Sequence, residues 1–175
     1  MAKRILTAAL TAAFLSTPAL AADKMNDLEI AHSAYTAGNV DIRYAYLALA
    51  TSEHAQVREF AETMIRDHTA VNEAALALVK KLNVTPQDND LSRTLADGAA
   101  KKRAELRGLN DKAFDCAYAK NEVGYHRVVN QTVESNFIPN AKVPELKELL
   151  SSALVTFKAH QGHAERMLAA LSCGS

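Results

Sequence analysis

Two of the six histidines in this 175-residue chain, His68 and His160, fall in the middle of apolar helical stripes. A third, His126, stands one turn after Glu122 beside another stripe, and Asp41 lies at the edge of a fourth. Imidazole and carboxylate suit zinc, copper, iron or nickel. Residues three or four apart share a helical face, so Glu122 and His126 project together, as do His160 and His163. Ligand-type side chains on the inner faces of several helices are how a bundle builds a metal site. The candidate set is therefore His68, His126, His160, Glu122 and Asp41, holding a single transition-metal ion. The same pattern also fits a buried polar network without an ion, in which Asn72, Tyr118 and Tyr125 satisfy the histidines. The sequence leaves these two readings open.

Other chemistry is harder to support. A di-iron site in such a bundle needs Glu-x-x-His on two helices. Three residues before His68 stands Ile65, and three before His160 stands Phe157. The chain has no G-x-S-x-G, H-E-x-x-H, phosphate loop or dinucleotide fingerprint, and nothing in it argues for an enzyme. Asp67 reads as an exposed neighbour that orients or screens His68. His32 and His54 read as surface residues.

The elements that would position these groups are helical. Apolar residues recur at three-four spacing over Asn26–Thr51, from Ser52–His54 to Leu82, and over Lys112–Ser135 and Pro144–Leu171. A shorter amphipathic segment covers Asp90–Leu106. Ser52 is placed to cap the second helix. Asn83–Asn89 reads as a loop, Gly108–Asp111 as a break, and Asn136–Pro144, with two prolines, as a loop. This predicts an all-α, ferritin-like four-helix bundle with a short extra helix between the second and third long helices. The connecting stretch of 28 residues is long enough to run the length of the bundle and make those two helices parallel.

The first 21 residues look like a signal peptide. Lys3 and Arg4 precede an apolar run, and Ala19-Leu20-Ala21 supplies the small residues for cleavage. The expected mature chain, residues 22–175, is one domain, exported and most plausibly periplasmic. Lipid attachment is not expected, because the residue directly after Ala21 is Ala22 and not cysteine. No later segment is long and apolar enough to span a bilayer. The chain has 20 basic and 20 acidic residues, and losing Lys3 and Arg4 leaves 18 basic. With no basic patch, nucleic acid is not an expected partner. Cys116 and Cys173 suit a disulfide in an oxidising compartment, although Cys173 overshoots the level of Cys116, so the pairing stays open.

Three segments carry a family resemblance. Val57–Asn72, which contains Arg66-Asp67-His68, resembles the hallmark of the family called domain of unknown function 4142. Phe114-Asp115-Cys116-Ala117-Tyr118 with His126 resembles a second hallmark, and His160 a third. The resemblance implies an exported ferritin-like bundle and brings no established activity. Two departures stand out. Asp41 occupies a position that is usually Glu, and Ala153-Leu154-Val155-Thr156 replaces a Leu-Pro. Members are often labelled outer-membrane proteins, but an all-helical chain is not a transmembrane barrel.

Overall fold

The computed structural model describes residues 24–173. The expected leader over residues 1–21 lies outside them. The helices are α1 (Asp27–Thr51), α2 (Ala55–Leu82), α3 (Asp90–Arg107), α4 (Asp111–Thr132), a π-helical segment (Val133–Phe137), α5 (Ile138–Asn140) and α6 (Pro144–Ala170). Among the described residues there is no strand. No described helix is long and apolar enough to cross a membrane.

Local chemistry sets the helix starts. Asn26 accepts from the backbone of Leu28 and Glu29 at 2.9 and 3.1 Å, and Glu29 returns a bond to the Asn26 amide at 2.9 Å. This capping box satisfies donors that an uncapped first turn leaves orphaned. Asn89 caps α3 through Ser92 in the same way. Asn89 also ties α3 to the first turns of α1, since its Nδ2 donates to the Glu29 carbonyl at 3.1 Å and the Ser33 hydroxyl donates to its Oδ1 at 3.0 Å. At the other end of α3, Ala99 and Leu106 share a core with Tyr44, Ala48 and Phe114. So α3 runs alongside α1 from one end of the bundle to the other. The chain arrives at the start of α4 beside the end of α1, and α4 runs parallel to α2.

Around the bundle α1 packs on α2, α2 on α6, α6 on α4 and α4 on α1, with α3 covering α1 and α4. The core has two parts. One, around Phe60, Met64, Phe114 and Tyr118, fills the end where α1 meets α4. The other, around Ile30, Phe137, Leu146 and Phe157, lies at the opposite end. The polar candidates sit between them.

Two local expectations need correction, and one pairing that the sequence left open is formed. Ser52 does not cap α2. It ends α1, receives the His54 amide on its hydroxyl at 3.1 Å, and donates that hydroxyl to Asp115 on α4. The Asn136–Pro144 loop shrinks to the three residues 141–143, because the helix continues through the π segment into α5. Wider π turns let Pro139 fall in the first turn of a new helical segment, where its missing N–H costs nothing. The Cys116–Cys173 disulfide is formed, with Cα atoms 5.6 Å apart. The overshoot is absorbed by a turn at Leu171 and Ser172, where Ser172 takes φ of 48°.

Candidate metal centre

Each of the four long helices contributes one side chain or more to a single buried cluster. Asp41 comes from α1, His68 from α2, Glu122 and His126 from α4, and His160 from α6, and all five are buried. The three imidazoles form a nearly equilateral triangle, with ring centroids 5.8, 5.3 and 5.5 Å apart. One ligand atom from each of His68, His126 and His160 lies within 4.8 Å of the others. A second group, Asp41, Glu122 and His126, meets the same distance and shares His126 with the first.

Hydrogen bonds outside the triangle fix which nitrogen each ring has free. His126 Nδ1 is 3.0 Å from the Glu122 carbonyl oxygen one turn earlier, so Nδ1–H donates there and Nε2 is left with its lone pair. His160 Nε2 is 2.9 Å from Asp67 Oδ2, which leaves Nδ1 free. His68 lies flat on Phe157, with centroids 4.6 Å apart. Its Nε2 approaches Asp41 Oδ2 to 2.6 Å, but the two are not aligned for a hydrogen bond. His126 Nε2, His160 Nδ1, both His68 nitrogens and both Asp41 oxygens find no hydrogen-bond partner among the protein's own groups. Leaving buried polar atoms unpaired costs about 1–3 kcal/mol each.

Charge is distributed unevenly in the cluster. Burial pushes the Glu122 carboxyl well above its ordinary value, and the Asp41 charge beside it adds to the rise. Burial acts on Asp41 in the same direction, but the imidazoles of His68 and His126 outweigh it and hold Asp41 below the usual carboxylate range. One carboxyl is thus protonated and the other ionised, as two neighbouring buried carboxyls require. His126 is lowered by burial and by His68. His160 is lowered to about 4 by burial, against the opposing hydrogen bond that it donates to Asp67. Both rings are therefore neutral near pH 7, the form in which imidazole ligates a metal.

Asp41 was expected at the edge of its stripe, but it is fully buried, because Val40 and Tyr44 beside it turn the same face of α1 inward. Asp67 was expected to serve His68, yet α2 directs it toward α6, where it bonds His160. Asn72 does not join His68; its Nδ2 has no partner, and its Oδ1 occupies the space left by Gly38, where a Cβ would come within 2.4 Å. Tyr118 buries a hydroxyl without a partner, and Tyr125 donates to the Ala37 carbonyl at 2.8 Å. Asn72, Tyr118 and Tyr125 therefore do not bond the histidines, while His126 and His160 each bond one other protein group. His163 is outside the cluster, against Phe60 at 5.1 Å. His54 is exposed, and His32 is half-buried, 3.8 Å from Asp88.

Three nitrogens each 2.0–2.1 Å from one ion lie about 3.4–3.6 Å apart. The ligand nitrogens here lie within 4.8 Å of one another, so holding an ion would draw the imidazoles together by up to about 1.4 Å. The free lone pairs, the neutral rings and the backside hydrogen bonds fit that role.

An all-helical bundle with inward imidazoles and carboxylates is the class of protein that fold and cluster define. The chain belongs to the family described as domain of unknown function DUF4142, whose model matches residues 11–167. No curated protein matches the chain. Among solved structures it is similar in fold to CopM in the Cu(II)-bound form, with a TM-score of 0.64 and 14% sequence identity, over 84% of this chain and 98% of that one.

Proposed function

We propose that this protein binds one transition-metal ion, Cu(II) by preference, in a non-catalytic role. His126 Nε2, His160 Nδ1 and His68 are the nitrogen ligands, with Asp41 as the anionic ligand and Glu122 beside it. The observation that carries this reading is the convergence of three buried imidazoles, of which His126 and His160 each keep one nitrogen without a hydrogen-bond partner and His68 sets its Nε2 2.6 Å from Asp41. The donor set contains nitrogen and oxygen only, because both cysteines are in the disulfide. Such a set suits Cu(II), which also heads the affinity order of divalent first-row ions. The similar fold of CopM, whose structure holds Cu(II), lends support to copper. The same reading takes residues 1–21 as a cleaved leader and places the mature chain outside the cytoplasm.

Elemental analysis of untagged protein after equilibrium dialysis against Cu(II) tests the site. One copper per chain is expected, with nitrogen hyperfine structure in its electron paramagnetic resonance spectrum. His126→Ala and His160→Ala should each weaken binding at least about tenfold, on the scale at which even supporting groups matter. Substoichiometric copper, or copper unaffected by both substitutions, would leave the cluster as a polar core and end the metal reading.

A further inference from the structure

The end of the bundle away from the disulfide is not filled. A cavity enters between the helices near Leu82 and Val84, both partly exposed, and ends at His68 and Phe157. Its space between atoms is about 1340 Å³, mouth included, yet only about 140 Å³ is wide enough to admit the centre of a water molecule. It is therefore long and thin. From Leu82 to His68 on α2 is fourteen residues, or about 21 Å at 1.5 Å per residue. From Leu146 to Phe157 on α6 is eleven residues, or about 16 Å. Aliphatic side chains make most of its wall, with Tyr35, Tyr125, Phe137 and Phe157 set among them.

The lower half of α2 explains why the space exists. Above it, Val57, Phe60, Ala61 and Met64 are sealed in the core. Below Asn72, Ala75, Leu78 and Val79 face the cavity and remain only half-buried. Apolar side chains lining an unfilled slot forgo contacts that a close-packed interior would give them. An apolar cavity drawn out along α2 and α6 matches an unbranched hydrocarbon chain better than a ring system. The rim also carries charge. Lys81 directly precedes the cavity-lining Leu82, Lys142 directly precedes the lining Val143, and both lysines are exposed. Lys81 lies 3.3 Å from Glu145, bridging α2 to α6 at that end.

We propose that this cavity is a binding site for a single-chain fatty acid, with the hydrocarbon tail inside along α2 and α6 and the carboxylate outside at Lys81 and Lys142. The cavity wall includes His68 and His126, two of the proposed copper ligands, so the tail would end against the cluster; the fatty-acid assignment itself needs no metal there. Apolar enclosure supplies the affinity and the two lysines fix the orientation.

The test uses delipidated, chelator-treated protein, so that it does not depend on whether copper binds. Palmitate and its shorter homologues are titrated by displacement of a fluorescent fatty acid and by native mass spectrometry. One saturable molecule per chain is expected, weakening as the chain is shortened. Ala75→Phe on α2 and Ala34→Phe on α1 plug the cavity from different walls, and each should reduce affinity at least about tenfold while the far-ultraviolet spectrum stays helical. Lys81→Glu with Lys142→Glu should weaken palmitate but not hexadecanol, a readout that misfolding does not produce. Absence of saturable palmitate binding would overturn the assignment. So would binding that survives both plugs, or preference for a compact aromatic ligand or a lysophospholipid over the free acid.

Discussion

His160 Nε2 lies 2.9 Å from Asp67 Oδ2, and that contact leaves Nδ1 as the nitrogen free to meet a ligand. Asp67 is itself paired with Arg66 at 2.7 Å on the surface. A carboxylate behind a ligating imidazole fixes its tautomer and raises its basicity. Asp67→Ala should therefore weaken Cu(II) about 10–100-fold in a competition titration against a chelator. The metal-free protein should lose only about 1 kcal/mol, because Asp67 is partly exposed and its hydrogen bond contributes modestly. Unchanged copper affinity in this variant would refute the assignment of His160 Nδ1 as a ligand.

Acid should destabilise the metal-free protein through its imidazoles. The pKa of His160 is lowered to about 4 in the folded state, chiefly by burial, and that of His126 is lowered for the same leading cause. Their contribution is fully present above the unfolded value of about 6.5 and is lost as pH falls toward 4, with a slope of at most about 1.4 kcal/mol per pH unit for each ring. Glu122 has the opposite sign. Its raised pKa gives a contribution that is present below about 4.5 and lost as pH rises. Glu122→Gln removes that opposing term, so denaturant unfolding between pH 4.5 and 6.5 should show a steeper acid loss than in the parent. An equal or shallower slope would contradict a protonated Glu122.

Ser52 and Asp115 join the end of α1 to the first turn of α4 inside the core. Ser52→Ala deletes the donor and leaves a buried carboxylate short of a partner, at a cost of about 1–3 kcal/mol. Asp115→Ala alone should also destabilise. In a double-mutant cycle by urea denaturation, the combined loss should be smaller than the sum of the two, since they break the same bond. Additive losses would mean the bond contributes nothing of its own.

The disulfide closes a loop between positions 57 residues apart. Cys116→Ser with Cys173→Ser should lower stability by about 2–4 kcal/mol through the entropy returned to the unfolded chain. Helix content should persist, because Leu171 and Met167 still pack in the core. A variant as stable as the parent would place the bond outside the cooperative unit.

Much of this architecture is legible in the sequence. The three-four spacing placed all four long helices to within a few residues, because those stripes face a core along most of their length. The 28-residue connection is followed by the parallel α2 and α4 that its length permits. Asp41 was misplaced for a physical reason. A stripe's edge faces solvent on an isolated helix, but α2 and α4 flank α1 and cover that edge as well. Asp67 was assigned to the wrong histidine because sequence adjacency favours His68, whereas neighbouring residues on a helix point about 100° apart and Asp67 reaches α6 instead. The continuation past Asn136 was hidden by Pro139, since a single-sequence pattern carries no mark of a π turn. Cavities leave no trace in periodicity, because Leu78 and Leu146 read as core residues whether or not they touch.

The crossover of α3 has a consequence for how the cluster comes into being. It divides the chain into two hairpins, α1–α2 holding Asp41 and His68, and α4–α6 holding Glu122, His126 and His160. Neither hairpin alone carries all three imidazoles of the cluster. The donors meet only when the halves dock, so an ion bound there would act as a rivet between them. By mass action it would stabilise the docked state alone, by about 2.7 kcal/mol at a hundredfold excess over its dissociation constant. Copper uptake during refolding would thus time the closing of the two halves, and not the formation of any helix.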